Sequence, residues 1–202
     1  MPEVSIITLG GEAGAGKSTV ALMLALKTGF TRVDAGSIQR ERCKDPKYNP
    51  KKLDLQAFMA QLTPAQDQEV EDEMKEVARK KDRLIMEGRM SFFWVPHGKP
   101  TLKVFLSVKP EIGARRIYEQ KKQSGVRSEE KTCSTAEEVM KDIEKRKESE
   151  IRQYTKIYGL DPYDQKYYDL VIDTSDQKPE EVVQQILETA QLNTGAHDFA
   201  GI

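Results

Sequence analysis

Residues 9 to 19, LGGEAGAGKST, place several glycines, one lysine and two adjacent hydroxyl groups directly after the apolar segment VSIIT. Glycines allow successive backbone N–H groups to turn inward around phosphate oxygens, and the start of a helix adds its positive dipole end. Gly11, Gly16, Lys17 and Ser18 fit the pattern G-x-x-x-x-G-K-[ST], between a predicted buried strand and a predicted helix. The sequence therefore predicts a site for a nucleoside triphosphate.

In such a loop the lysine reaches the β- and γ-phosphate oxygens, and the hydroxyl that follows coordinates Mg²⁺. Lys17 is therefore the predicted catalytic cation, and Ser18 is a predicted ligand of the Mg²⁺ that accompanies ATP. The predicted ATP-binding residues of this loop are Gly11, Glu12, Ala13, Gly14, Ala15, Gly16, Lys17, Ser18 and Thr19.

Other segments indicate which class of phosphate-loop protein this is. The Asn-Lys-x-Asp motif that reads guanine is absent from the sequence, which disfavours a GTPase switch. The third predicted strand ends in IMEGR rather than in paired acids, which disfavours a motor ATPase. The class that remains phosphorylates small acceptors, and it needs basic residues around the transferred phosphoryl group.

Two arginines follow predicted strands at the edge of the sheet where ligands of open α/β folds bind. Arg40 comes after the second strand, in DAGSIQRER, and Arg89 comes after the third, in EGR. Two guanidinium groups suit an acceptor phosphate because each holds two of its oxygens. The predicted acceptor site also takes in Asp34 and Ser37. Two roles are open for Glu87: holding a magnesium-bound water or bracing Arg89.

A long helix is predicted from Thr135 to about Tyr158. Its apolar residues at helical spacing are Val139, Met140, Ile143, Ile151, Tyr154 and Tyr158. Arg146 and Glu150 fall on or beside that arc, where a charge is costly unless it is paired or used. We therefore predict that Arg146 touches the phosphates with Glu150 as its orienting partner; the alternative is a structural ion pair.

Acceptor identity depends on two acids in the helix that begins at Thr63-Pro64. Asp67 and Glu71 lie four residues apart, on one face, and a carboxylate there is able to accept a hydrogen bond from the exocyclic amine of cytosine. The alternative is that acids in the first turns of a helix serve only its dipole.

The whole chain alternates strands with helices. This predicts an α/β three-layer fold with a parallel sheet of about five strands and helices on both faces. One domain is predicted over 1–192, with a flexible tail at 193–202. The helix at 17–27, apolar nearly all round, is predicted to be buried, and Trp94 is predicted to pack in the core.

Composition narrows the function classes. The chain has 32 basic and 33 acidic residues, a net charge of −1, which argues against nucleic acid as a partner. No segment is long and apolar enough for a membrane span, and neither a signal peptide nor a cysteine framework is evident, so we expect a cytoplasmic protein. A monomer is favoured.

Six segments in register resemble the nucleoside monophosphate kinases, and most of all the archaeal-type cytidylate kinases. They are the phosphate loop, DAGSIQR, LIMEGR, ARRIYEQ, RKESEIRQYTKIYGLD and YDLVIDTSDQKPEEVV. The resemblance implies a monophosphate-binding segment at about 35–80 and a lid at about 120–134. It also implies that Arg40 and Arg89 bind the monophosphate, that Arg116 serves the lid as a catalytic residue, and that Thr174 and Ser175 lie near the donor base.

One position departs from the pattern. The archaeal-type cytidylate kinases usually carry a second arginine three residues after the acid at position 150, where this chain has Gln153. Arg152 is the adjacent candidate for the acceptor site, about 100° further round the helix.

The implied activity is ATP-dependent phosphorylation of a nucleoside monophosphate, with CMP or dCMP favoured. ATP and that monophosphate are then the partners. Two other classes stay open: a kinase of another small acceptor (another monophosphate, dephospho-coenzyme A, shikimate or a sugar) and a non-catalytic nucleotide-binding module.

Overall fold

The structure is a computed structural model that describes residues 3–53, 57–58, 61–124 and 135–192. Most of the predicted lid and the whole predicted tail therefore lie outside the described residues. The described strands are β1 (Ile6–Gly11), β2 (Thr31–Asp34), β3 (Leu84–Glu87), β4 (Thr101–Ser107) and β5 (Leu170–Asp173). They form one sheet in the order β2-β3-β1-β4-β5, and each pairing is parallel. The carboxyl end of β1 consequently lies between those of β3 and β4.

Helices cover both faces of this sheet. They are α1 (Lys17–Thr28), α2 (Ala35–Lys44), α3 (Pro64–Lys80), α4 (Pro110–Ser124), α5 (Ala136–Tyr158) and α6 (Pro179–Ala190), with 3₁₀ turns at Ser91–Phe93 and Gln165–Tyr167. One core cluster joins the sheet to α1 and α6. A second joins the opposite face to α3 and to aromatic residues of the two turns. The predicted three-layer α/β fold is confirmed, and the helices predicted at 17–27 and from Thr135 to about Tyr158 match α1 and α5 to within about two residues at each end.

The ends of the helices follow from local hydrogen bonds. Thr63 and Gln66 exchange bonds at the start of α3: Thr63 Oγ1 accepts from the backbone N–H of Gln66 at 3.3 Å, and Gln66 Oε1 accepts from that of Thr63 at 3.0 Å. Thr135 Oγ1 accepts from the backbone N–H of Glu138 at 3.2 Å, so α5 begins where predicted. Gly29 ends α1 in the left-handed region, with φ of 68°.

The prediction that α1 is buried all round is wrong. Val20, Ala21 and Leu24 are buried against the sheet, whereas Leu22 and Leu26 are 51% and 71% exposed. The sheet covers only one side of a helix, and an apolar composition does not reveal that limit. Neither α1 nor any other described helix is both long and apolar enough to cross a membrane.

Trp94 packs in the core as predicted. It is 4% exposed, belongs to the second core cluster and lies against Gly88, the residue that follows β3. A Cβ atom added at Gly88 would lie 2.5 Å from Cη2 of this ring, so only glycine allows the contact. The indole Nε1 has no hydrogen-bond partner among the described residues. The packing fixes the backbone immediately before Arg89.

Candidate active site

The predicted phosphate loop connects β1 to α1, and its glycines have conformations that other residues rarely adopt. Gly11, Gly14 and Gly16 have φ of 130°, 79° and 83°. Added Cβ atoms would lie 2.1 Å from the carbonyl oxygen of Leu106 at Gly11, and 2.3 Å from that of Gly113 at Gly14. Gly11 and Gly14 are therefore required both by backbone angle and by the close approach of β4 and α4, whereas Gly16 is required by its backbone angle alone.

Lys17 is the first residue of α1, and its ammonium group lies inside the loop. Nζ donates hydrogen bonds to the carbonyl oxygens of Gly11 and Glu12, at 2.7 and 2.6 Å. Burial, and after it the positive charge of Arg89, lower the pKa of Lys17 from 10.5 to about 8. The charged side chains that act on this pKa are Arg89, Glu87, Glu150 and Arg146. The structure thus brings the predicted residues of three separate segments around Lys17.

Glu87 connects the phosphate loop with β2. Its Oε1 accepts a hydrogen bond from Ser18 Oγ at 2.5 Å, and its Oε2 pairs with Arg32 Nη2 at 2.7 Å. The sequence leaves open whether Glu87 braces Arg89. In the structure Glu87 pairs with Arg32 instead, and Arg89 pairs with Glu150. Asp34 is the register partner of Glu87, and Arg32 precedes Asp34 by two residues on the same face of β2. Arg89, in contrast, follows the end of β3.

The residues predicted around the start of α2 do come together. Arg40 Nη2 donates to Asp34 Oδ2 and to Ser37 Oγ, both at 3.0 Å. Asp34 also caps α2, since its Oδ1 accepts from the backbone N–H of Gly36 at 2.8 Å. With 46% of its side chain exposed, Arg40 keeps access to solvent at the carboxyl end of β2.

Glu150 is the centre of a second group of charges. Its Oε1 accepts from Arg146 Nε at 3.0 Å, as predicted, and its Oε2 accepts from the Tyr163 hydroxyl at 2.7 Å. Oε2 also forms an ion pair with Arg89 Nε. Burial lowers the pKa of Arg89, but Glu150, Tyr163 and Tyr154 together outweigh that effect, and the pKa of Arg89 is raised. Glu150 thus holds together one predicted acceptor arginine and the predicted catalytic Arg146.

Arg116 lies on α4 and joins two segments of the donor side. Its Nη2 donates to the carbonyl oxygen of Thr174 at 2.8 Å and to that of Ser175 at 3.3 Å. Its Nη1 lies 3.5 Å from the carbonyl oxygen of Gly14. The guanidinium therefore ties the phosphate loop to the segment after β5.

Of the two residues predicted to read the acceptor base, Glu71 is the one whose side chain the structure describes. Glu71 is 8% exposed, and its Oε2 accepts a hydrogen bond from the Tyr158 hydroxyl at 2.5 Å. The same hydroxyl lies 3.1 Å from Gln68 Oε1. The side chain of Asp67 lies outside the described residues. Glu71 is therefore bound to α5.

Arg152 is not brought into either group of charges in the described structure. Its side chain is 72% exposed and pairs with Glu148 at 3.7 Å. Its direction on the helix, about 100° from the neighbouring position, explains the difference. Thr19 is likewise exposed, on the first turn of α1.

A family model described as the cytidylate kinase-like family matches residues 6–176, which include the phosphate loop, Arg40, Arg89 and all of α5. The chain belongs to the cytidylate kinase-like family. It is 35% identical to the cytidylate kinase of Methanopyrus kandleri over 180 residues, which is 84% of each chain. It is 32% identical to that of Methanobrevibacter smithii over 187 residues, 93% of this chain and 99% of the relative. Membership in this family confirms the predicted class, a nucleoside monophosphate kinase.

Solved structures agree on the fold. A shikimate kinase from Bacteroides thetaiotaomicron superimposes with a TM-score of 0.60 at 19% identity, over 93% of this chain and 99% of that one. At this identity the likeness concerns the phosphate-loop kinase fold alone.

The sequence analysis missed three residues of the site: Arg32, Lys147 and Tyr163. Arg32 gives a signal in hindsight, because a residue two positions before Asp34 must share its face of β2. Lys147 lies in the charged run EKRKESE, where one cation does not stand out. Tyr163 reaches Glu150 only because the chain turns back after α5, which no local pattern predicts.

Proposed function

We propose that the protein transfers the γ-phosphoryl group of ATP to CMP, and that dCMP is an acceptor of the same class. Family membership supports the reaction. The structural observation that carries it is the meeting of Lys17, Arg89 and Arg146: both arginines bind Glu150, and both lower the pKa of Lys17. Phosphoryl transfer is catalysed mainly by positioning and charge, which such a group of cations supplies.

The donor side is formed by the phosphate loop. The N–H groups of residues 11–19 surround the phosphates, and Lys17 exchanges its bonds to the carbonyls of Gly11 and Glu12 for phosphate oxygens. Arg116 holds Thr174 and Ser175 against the loop, where they border the donor base. The separation of donor and acceptor sides follows from the sheet order, in which β2 and β3 lie on one side of β1, and β4 and β5 lie on the other.

The acceptor side is formed by the carboxyl ends of β2 and β3. Arg40, positioned by Asp34 and Ser37, and Arg89, positioned by Glu150, hold the phosphate of the monophosphate. Glu71 accepts a hydrogen bond from the exocyclic amine of cytosine, with Asp67 as a second candidate on the same helix. In this arrangement the Tyr158 hydroxyl occupies the position of the amine donor.

Magnesium is part of this proposal, and the residues present fit it. Ser18 Oγ and Glu87 Oε1 are oxygen donors 2.5 Å apart, next to the loop, and oxygen is the ligand that Mg²⁺ prefers. Ser18 would bind the ion directly, and Glu87 would hold one of its waters. When bound with ATP, Mg²⁺ neutralises charge on the donor phosphates.

A coupled assay of ADP release tests the proposal. With ATP fixed, the rate is measured for CMP, dCMP, UMP, AMP and GMP, and for dephospho-coenzyme A and shikimate. We expect the largest kcat/KM with CMP. A larger value with a non-nucleotide acceptor would contradict the acceptor assignment, and ATP binding without acceptor-dependent ADP release would indicate a non-catalytic module.

A further inference from the structure

Glu12 is an acidic side chain within the phosphate loop, and it is bound on both oxygens. Oε2 accepts a hydrogen bond from the backbone N–H of Val108, immediately after β4, at 3.1 Å. Oε1 pairs with Lys147 Nζ of α5 at 2.8 Å. Glu12 thus connects the phosphate loop with the helix that carries Arg146 and Glu150.

A carboxylate at this position opposes the binding of a polyanion unless it is compensated. The repulsion between two like charges is several times stronger near a protein surface than in bulk water. Lys147 provides the compensation, and it is held from a second side because its ammonium lies 4.8 Å from the centre of the Tyr163 ring. The hydroxyl of that ring binds Glu150, so one tyrosine supports both contacts of α5.

These contacts join the phosphate loop to α5 at the turn that carries Arg146. Lys147 follows Arg146 directly, and Glu150 lies one turn further along. A shift of α5 relative to the loop would therefore move Arg146 relative to Lys17. Partly exposed ion pairs contribute little to stability on their own, and both Lys147 and Glu12 keep some exposure, 40% and 26% of their side chains. The contact accordingly matters for position more than for stability.

We propose that Lys147 is a positioning residue for phosphoryl transfer: its pair with Glu12 seats α5 on the phosphate loop and neutralises the only carboxylate of the segment 11–18. This inference rests on the proposed function for its kinetic readout. Its structural readout, the protection of α5 backbone amides from hydrogen exchange, does not depend on the proposed function.

The test is a double-mutant cycle of Lys147→Met and Glu12→Gln, with Lys145→Met as a control on an exposed lysine of the same helix. Glutamine keeps an acceptor for the Val108 N–H and removes the charge. We expect each single substitution to lower kcat by about three- to tenfold, and the double variant to be no slower than the slower single variant. Amide exchange in 141–152 should accelerate equally in all three. Lys147→Arg should retain most of the rate.

Other outcomes overturn the proposal. If Lys147→Met costs the same factor with and without Glu12→Gln, Lys147 acts on the substrate by itself rather than through Glu12. If neither the rate nor the exchange of α5 changes, the pair is an ordinary solvated contact. A wild-type protein without kinase activity would contradict the proposed function, and the exchange data would still decide whether Glu12 and Lys147 seat α5.

Discussion

The hydroxyl of Ser18 lies 2.5 Å from a carboxylate oxygen of Glu87, although 69 positions separate them in the chain. The contact exists because β1 and β3 are parallel neighbours, so that the loop after β1 and the last residue of β3 meet at one edge of the sheet. It places an alcohol and a carboxylate beside Lys17, as a Mg²⁺–ATP site requires.

Replacing Glu87 with glutamine should raise the Mg²⁺ concentration that gives half-maximal rate, and should lower kcat by about tenfold or more, because the amide holds a metal-bound water less strongly. The measurement is a Mg²⁺ titration of the coupled assay at saturating ATP and CMP. Glu180→Gln, an exposed carboxylate of α6, is the matched control. An unchanged Mg²⁺ dependence would assign Glu87 to bracing Arg32 alone.

The affinity of the free protein for ATP should fall as the pH rises through about 8. The pKa of Lys17 is lowered to about 8 by burial and by Arg89, and only the protonated amine binds phosphate. Bound phosphate stabilises the protonated amine, so Lys17 stays charged in the ATP complex. The decrease above about pH 8 should therefore appear in kcat/KM for ATP and not in kcat. A fluorescent ATP analogue measures the dissociation constant between about pH 7 and pH 9.5.

Lys17→Arg is the control for that titration, since a guanidinium stays charged throughout this range. Whatever affinity this variant has should be independent of pH. A wild-type affinity that does not change with pH would show that the pKa of Lys17 is not the controlling one.

Arg40→Ala should raise the KM for CMP by about tenfold or more and leave the ATP dissociation constant within about threefold, because a charge-assisted bond acts only at its own ligand. Arg89→Ala should also lower kcat, since Glu150 then loses a partner and no longer fixes Arg146 as firmly. Arg79→Ala, on an exposed arginine of α3, is the control. Equal weakening of ATP and CMP would contradict the acceptor assignment.

Glu71→Gln should reduce the preference for CMP over UMP by about tenfold, because the amide is able to donate to the uracil carbonyl where the carboxylate only accepts. Tyr158→Phe keeps the ring contacts with Phe93 and Tyr154 and removes only the hydroxyl that binds Glu71, so its effect should be smaller. Ratios of kcat/KM for the two acceptors are the measurement. An unchanged ratio in both variants would make Glu71 a structural partner of α5.

The lid at about 120–134, most of which lies outside the described residues, stays a prediction: in the sequence it lies between Arg116 and Arg146, and we expect it to close over the phosphates. Amide exchange in 116–124 and 135–146 should slow markedly with an analogue that joins adenosine and cytidine through a phosphate chain, and only slightly with CMP alone. The same protection by both ligands would contradict a closure that needs donor and acceptor together.

What the sequence predicted well is what neighbouring residues determine. The phosphate loop could be located because strand, loop and helix are contiguous, and the Arg146–Glu150 contact could be predicted because residues four apart on a helix are neighbours. Helix starts at Thr63 and Thr135 followed from their capping residues.

What it predicted poorly depends on which segments the fold places side by side. Glu87 pairs with Arg32 because β2 is the edge neighbour of β3, and the sequence of neither strand predicts which strands pair. Glu150 has partners from the end of β3 and from the turn after α5, and only one of its contacts is local. Leu22 and Leu26 face outward because a sheet covers a single side of α1.

The chain has one tryptophan, and its ring lies against Gly88, next to an arginine assigned to the acceptor phosphate. Emission excited at the indole therefore comes from a single, buried position next to the proposed acceptor site. A displacement of the backbone at Gly88 on acceptor binding changes the surroundings of that one fluorophore. Fluorescence of this tryptophan would then report acceptor binding in the native chain, without a label and without turnover.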